Sequence, residues 1–492
     1  MSTRYGHPKL RLRLFNDNGM TEQLRKNLYW VIWAVTIGML GFVVTTGAVW
    51  SGFQREVLGA NDFQLGLISA IPVSTCVLQV FISYYMEKKR NRRFLFLFLG
   101  IIGRSFWILI ALVPYLFPNF PVDLRIWLVI VFVVIISSGN SGVNLAFGSL
   151  MGDLVPINIR GSFFSVRQMI SLTSGVITGL IMSAMIDRVG LVGYSIALGI
   201  AGVSMVLDIA CYFFVEWPEM ESAELPSLPS LLKEVFRNKT FLRVVTFYSL
   251  WLFSVNIAGP FWNIHMLEYL QMSYTQITLY SQIASGIATI LIISRWGRLI
   301  DRYGNKPVLT MAAMFIVISP IPWLFATHDT AYFVIISNVI SGATWPVIDI
   351  CQQNLYLSQS PKLHRSMYIA VFFACINLFG IALANAVGGY LMQTPFAYLT
   401  ASHPVVLGLT MTKMHWMIIA SILCRVTVLI VFLPRIHEEG AQTFSHTVKC
   451  VVHDTSDRTH RHAAAVRATF QRKRLRKILA KGTDQPDNRK SN

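Results

Sequence analysis

The chain has 492 residues, of which 54% are hydrophobic and only 13% charged, and its mean hydropathy is +0.53. A soluble domain is typically about one quarter charged, so this balance excludes an ordinary water-soluble protein and places the chain in a bilayer. The net charge of +18 does not mark a nucleic-acid binder, because the cations are spread over loops and two tails rather than gathered on one folded domain.

After a polar, basic start, twelve apolar stretches follow, each about 20 residues or longer, the length that crosses about 30 Å of hydrocarbon. They are predicted at 29–53, 63–86, 94–117, 124–151, 167–187, 192–215, 241–267, 275–296, 307–327, 331–357, 366–391 and 413–434. The first 28 residues run straight into a full-length span, so the first helix is expected to serve as its own insertion signal. Alternate loops differ in charge. One set holds Lys88, Lys89, Arg90, Arg92, Arg93, Arg160, Arg295, Arg298, Arg302, Lys306, Lys362 and Arg365, whereas the other offers only Arg55, Arg125, Arg188 and Lys413. Cytoplasmic loops retain Lys and Arg, so both termini are predicted to be cytoplasmic, in a plasma or inner membrane.

Between the sixth and seventh stretches, Pro218, Pro226 and Pro229 break helix, and Glu219, Glu221 and Glu224 keep the segment in water. Leu231, Leu232, Val235 and Phe236 suggest a short interfacial helix there. The predicted organisation is a tail (1–28), a six-helix bundle (29–215), a central loop (216–240), a second bundle (241–434) and a basic tail (435–492). In that last tail, Arg472, Lys473, Arg474, Arg476 and Lys477 fit either a helix on anionic headgroups or a solvated segment. Six cysteines without CxxC spacing point to neither disulfides nor a metal site.

The chain also repeats itself. Slid by 212 residues, 44–90 falls on 256–302, and Gly47, Trp50, Glu56 and Gln64 meet Gly259, Trp262, Glu268 and Gln276. Slid by 205, Pro156 and Arg160 meet Pro361 and Arg365, and Asn144 meets Asp349. Such offsets over helix-loop-helix units mark a duplicated six-helix half. Between the eighth and ninth stretches stands Gly297-Arg298-Leu299-Ile300-Asp301-Arg302-Tyr303-Gly304-Asn305-Lys306, whose two glycines are expected to form a tight reversal. This G-x-x-x-D-R-x-G-x-K pattern resembles the loop signature of the major facilitator superfamily. The first-half copy, Tyr85 to Arg92, keeps its basic character and Arg90 but lacks both glycines and the acid. In the fifth stretch, Gly175-Val-Ile-Thr-Gly179 does not match the family's antiporter pattern of proline and glycine.

The resemblance implies an all-α membrane protein with twelve transmembrane helices in two pseudo-symmetric six-helix bundles. It also implies that helices 1, 4, 7 and 10 line a central cavity. Asp349 then leads the candidates, about 7 Å from the midpoint of helix 10, as either a substrate or proton site or a structural pairing. Asn140, Asn144, Asn256, Gln352, Gln353, Ser254, Asn263 and His265 would add hydrogen-bonding groups around the same cavity. His265 fits a proton shuttle or a packing residue. Trp50, Trp262 and Trp345 could stack on a ring, although interfacial anchoring suits Trp50 and Trp262 better. Arg104, Asp208 and Arg425 lie on helices the family places at the outer wall, where structural roles are expected.

The gating candidates are Gly297, Asp301, Arg302, Gly304, Lys306, Arg160, Arg167 and Arg365, with Asp301 expected to pair with Arg167 or Arg160 when the halves close inside. No G-x-x-x-x-G-K-[ST] motif occurs, so a gradient must supply the energy. The expected function is alternating-access transport of a small polar solute, linked to protons through Asp349. The rival is a non-transporting sensor or scaffold that uses the basic tail. No catalytic constellation and no cofactor site emerges, which leaves a small-molecule substrate, the lipid bilayer and protons as expected partners.

Overall fold

The structure, a computed structural model, describes residues 21–89, 91–218, 228–361, 365–402, 404–406, 409–438 and 442–450. The strongly basic part of the final tail lies outside them. Twelve spanning helices follow in order. In the first half, α1 is Glu22–Thr46, resumed as Ala48–Gly52 and a π turn Phe53–Val57. Helix α2 runs Asp62–Ser74 and, after a tight turn, Leu78–Lys89. Then come α3 (Arg92–Leu116), α4 (Val122–Leu154), α5 (Ile157–Val189) and α6 (Leu191–Cys211). A short helix Leu228–Arg237 precedes the second half. There α7 is Lys239–Asn256, resumed as Phe261–Ile264 and a π turn His265–Tyr269. Helix α8 is Tyr274–Ile277, a π turn Thr278–Ile283, and Ala284–Tyr303. The set closes with α9 (Asn305–Ile318), α10 (Phe333–Ser358), α11 (Arg365–Cys375, a π turn Ile376–Ala382, Leu383–Gln393) and α12 (Lys413–Val431). A two-residue ladder, Val405–Val406 with Leu409–Thr410, joins α11 to α12.

Eleven helices among the described residues are long and apolar enough to span by themselves, and α2, interrupted after Pro72, is the twelfth. Its break is repaired locally: Ser141 of α4 donates to the Thr75 carbonyl at 3.0 Å, so no backbone acceptor is stranded at that depth.

The 212-residue repeat is geometric as well as textual. The π turn 53–57 recurs at 265–269, and the cap Asn61 with Gln64 recurs as Ser273 with Gln276. Gly59 has φ +75°, and its mate Gln271, at φ +51°, is the one described non-glycine residue with positive φ. Ser51 and Asn263 are mates and touch each other at 3.3 Å. The pseudo-twofold axis therefore passes between them.

Call the face bearing Thr21 and Cys450 the terminal face and the opposite one the distal face. At the distal end a single apolar core joins both halves, from Val49, Phe53 and Trp107 to Phe261, Trp323 and Met417. Toward the terminal face it splits into two, one confined to the first half around Phe96 and Phe163, the other to the second around Trp251 and Phe372. Within lipid, helix contact depends on close packing rather than on water exclusion, and small residues permit it. Gly66 of α2 and Gly389 of α11 provide that contact between the halves: a Cβ on Gly66 would lie 2.5 Å from the Asn385 carbonyl oxygen.

Two expectations need correction. Gly297 does not form the reversal, because α8 runs through it to Tyr303, and Gly304, at φ +92°, makes the turn alone. Only the second glycine needs a left-handed backbone. Lys306 is a fastener within one half: its ammonium donates to the carbonyls of Pro434 (3.1 Å) and Ile436 (2.6 Å), just past α12. Glu438 completes the joint. Its carboxylate accepts from the backbone N–H groups of Asn305 (3.0 Å) and Lys306 (2.6 Å) and from the Asn305 amide (2.7 Å), supplying the anionic cap that α9 lacks locally. Arg92 does the same in the first half, reaching Asp153, Ser149 and, at 2.7 Å, the Pro218 carbonyl beyond α6.

Glu438→Ala should lower the thermal unfolding midpoint of the purified protein, by a loss of roughly 1–3 kcal/mol, since three part-buried donors lose a charged acceptor. Asp301→Asn should leave the midpoint unchanged, because Asp301 is exposed and no ion pair holds it among the described residues.

Candidate functional site

At the distal face each half caps the second helix of the other. The Asp62 N–H, which opens α2, donates at 3.0 Å to Gln393 at the end of α11. The mates at the start of α8, Tyr274 N–H and Thr275 N–H, donate to Asp187 of α5 at 2.9 and 3.1 Å, and the Thr275 hydroxyl joins at 2.7 Å. A carboxylate at a helix N-terminus meets both free donors and the positive end of the dipole.

Ion pairs tighten the same seam. Arg55, in the π turn after α1, bonds Glu268 at 2.6 Å and lies 3.3 Å from Asp62. Lys413, which opens α12, pairs with the other Asp62 oxygen. Burial works against the Arg55 charge, but Glu268 and Asp62 more than offset it and raise its pKa. Glu268 is half exposed, so its pair is worth about 1 kcal/mol or less. Asp62 is 5% exposed, and stripping its cations would leave a buried charge at a cost of roughly 3–5 kcal/mol. Glu56 lies within hydrogen-bond reach of the Tyr194 and Tyr274 hydroxyls at 2.7 and 3.0 Å and the two phenols are within reach of each other, so two phenolic protons serve a triangle of three contacts. Gly52 leaves room for this, since a Cβ there would sit 2.0 Å from the Tyr274 hydroxyl oxygen.

His265 belongs to this seal rather than to the central cavity where the sequence placed it. It stacks on Tyr269 at 4.9 Å and meets the His415 ring edge-on at 6.3 Å. A small space of about 240 Å³ beside it is lined by Arg55, Asp62, Glu268 and Lys413. Asn263 is likewise at the seam, donating to Ser51.

Beyond the mid-membrane contact of Cys76 with Asn377, toward the terminal face, no hydrogen bond or ion pair joins the two halves among the described residues. The polar candidates are distributed along the surfaces so exposed. Asp349 and Asn144 are exposed, Asn140 and Gln352 are half-buried, and none of the four has a side-chain hydrogen bond among the described residues. Asn256 bonds its own helix at the Leu252 carbonyl, 2.9 Å away.

Arg167 of α5 does not meet Asp301. Its guanidinium lies 4.9 Å above the Phe147 ring and faces a pocket of about 170 Å³ that also takes in Asn144. Behind that pocket sits an ion pair between Arg104 of α3 and Asp208 of α6. These two were expected at the outer wall, and the structure puts them beside the candidate site. Arg425, by contrast, is fully inside the second half, donating at 2.7 Å to the Ile316 carbonyl near the end of α9. Arg302 lies 5.2 Å from the Tyr303 ring, and the side chains of Arg160 and Arg365 fall outside the described residues.

In the sequence Arg55 and Lys413 register only as loop charges, and Asp62, Asp187 and Glu438 do not stand out. One signal was available: Asn61-x-x-Gln64 and Ser273-x-x-Gln276 are capping boxes in matching register, each opening a helix at a point where the halves meet.

Two six-helix bundles related by an axis, sealed at one face and parted at the other, define a membrane carrier. A family model described as Major Facilitator Superfamily matches residues 31–385 and 244–446, and the chain belongs to that superfamily of secondary transporters. Solved structures agree in fold. The nucleoside transporter NupG superposes with a TM-score of 0.64 at 13% identity, over 84% of this chain and 99% of that one. A D-xylose-proton symporter gives 0.62 at 15%, over 83% and 99%. The inward open conformation of the xylose transporter XylE from E. coli gives 0.56 at 16%, over 86% and 99%. No curated protein sequence matches the chain.

Asp62→Asn should loosen the distal seal. Spin labels at positions 119 and 329, in two exposed distal loops, should then show a population at longer distance, with the open-to-closed ratio raised roughly tenfold or more. An unchanged distance distribution would show that other contacts hold the seam.

Proposed function

We propose that the chain moves a small polar solute by alternating access, and that its structure is the state open to the cytoplasm. The observation that carries this is the division of the core: one apolar body at the distal face, two at the terminal face. A rigid pair of bundles with one shared end can exchange that end for the other by rocking, which is how repeat-built carriers alternate. The excess of Lys and Arg in the terminal-face loops supports placing that face in the cytoplasm.

We further propose that Asp349 couples transport to protons. It is an exposed carboxylate on α10 with no cation bound to it among the described residues, so it is free to take up and release a proton as access alternates. Asp301 is the carboxylate available to pair with cations near the start of α5 when the terminal face closes.

Ser51 and Asn263 supply the direct test because they touch only while the distal face is shut. In S51C/N263C, oxidation should abolish flux in proteoliposomes and reduction should restore it, using a solute found by thermal-shift screening of sugars, organic anions, amino acids and drugs. Flux that persists through the crosslink would refute alternation at this seam. Asp349→Asn should keep binding but lose the response of flux to an imposed pH gradient, and a retained response would exclude Asp349 as the coupling group.

A further inference from the structure

The pocket of about 170 Å³ in the first half holds more positive than negative charge. Arg104, Arg167 and Asp208 line it, two guanidiniums against one carboxylate. Asp208 is committed to Arg104, and its carboxylate lies so close to α1 that a Cβ on Gly38 would come within 2.7 Å of its Oδ2. Arg104 is engaged through Nη1, which also donates at 2.9 Å to the Met205 carbonyl, although its Nε, like that of Arg167, is buried without a partner. Arg167 is left over. Its Nε is buried without a partner, and the contact described for its guanidinium is the face of Phe147 at 4.9 Å. Arg167 is half-buried with its Nε shielded from water and without an acceptor, which is costly, and the fixed fork of guanidinium donors matches a carboxylate or a phosphate in bidentate fashion.

The surroundings give the pocket a direction. Arg104 and Asp208 form its back wall, on α3 and α6. It opens past Val35 and Met39 of α1 and Asn144 of α4, where the Asn144 amide is exposed and can both donate and accept. Its volume is many times the 10–15 Å³ or so that one water requires.

We infer that this pocket binds a small organic monoanion, with the carboxylate on Arg167 and the polar body toward Asn144. This rests on the alternating-access reading and names the class of solute. One uncompensated positive charge selects one negative charge: a neutral sugar or nucleoside leaves Arg167 unpaired, an amine is repelled, and a phosphate dianion overfills the site.

The test is a thermal-shift comparison of the purified full-length protein with lactate, gluconate and nicotinate, against their uncharged counterparts lactamide, glucose and nicotinamide. At least one carboxylate should stabilise the protein and its counterpart should not. Arg167→Gln should weaken that carboxylate roughly tenfold to hundredfold, the range for losing hydrogen bonds to a charged group, and Arg167→Lys should recover part of it. The inference is overturned if uncharged members stabilise equally well, if no carboxylate acts even in millimolar excess, or if Arg167→Gln binds the carboxylate unchanged. Should Arg167→Gln fail to fold, the paired comparison on the natural protein decides alone. Binding here and crosslink-sensitive flux are separate readouts, so the anion assignment can fail while alternation stands, and the reverse.

Discussion

The constraint on which the molecule depends is the need to satisfy helix ends where two bundles meet. The first N–H groups of α2 and α8 have no partner within their own helices. Capping boxes meet part of that need from within, through Gln64 and Gln276. The rest comes from the opposite half, Gln393 for α2 and Asp187 for α8. Neither bundle can leave the other at this face without exposing those donors, and water must be there to take them when it does. That places the seam at the aqueous boundary, with the ion pairs of Asp62 added on top.

Symmetry and asymmetry are divided in an orderly way. Backbone features repeat at 212 residues: the π turns, the caps, the positive φ angles. Side chains at the same positions have diverged. Glu56 receives two phenols, whereas Glu268 receives a guanidinium, so one equivalent site is a neutral-donor bond and the other an ion pair. Shape is what two-fold packing demands of a repeat, and chemistry is free to differ between its copies. The polar pocket follows this rule as well: Asn144 and its mate Asp349 are both exposed, but only the first stands beside a half-buried pair of arginines.

Most of the fold was legible because the bilayer imposes a length and a polarity on each helix. The twelve stretches match twelve helices, and the errors fall at their ends, where α4, α5 and α8 run on past the hydrocarbon as polar helix. Hydropathy cannot register those turns. The loop motif was readable as a family mark but not as a mechanism. Lys306 reads as a gate because charge in a loop of this pattern suggests movement, and in this state its partners are carbonyls of its own half. Glu438 was invisible because its role depends on a contact across more than a hundred residues of chain. Arg104 and Asp208 form the structural pair expected of outer-wall helices, but side-chain reach, which helix order does not reveal, carries their charges inward beside Arg167.

The Glu438 joint has a mechanical consequence. It ties the segment that leaves α12 to the turn between α8 and α9, and Gln442 adds a bond to the Tyr303 carbonyl at 3.1 Å. The described end of the chain, up to Cys450, is thereby anchored to the second bundle. A load on that end, whether from a membrane surface or from a bound protein, would act as torque on one bundle relative to the other, and the hinge it would work against is the distal seam.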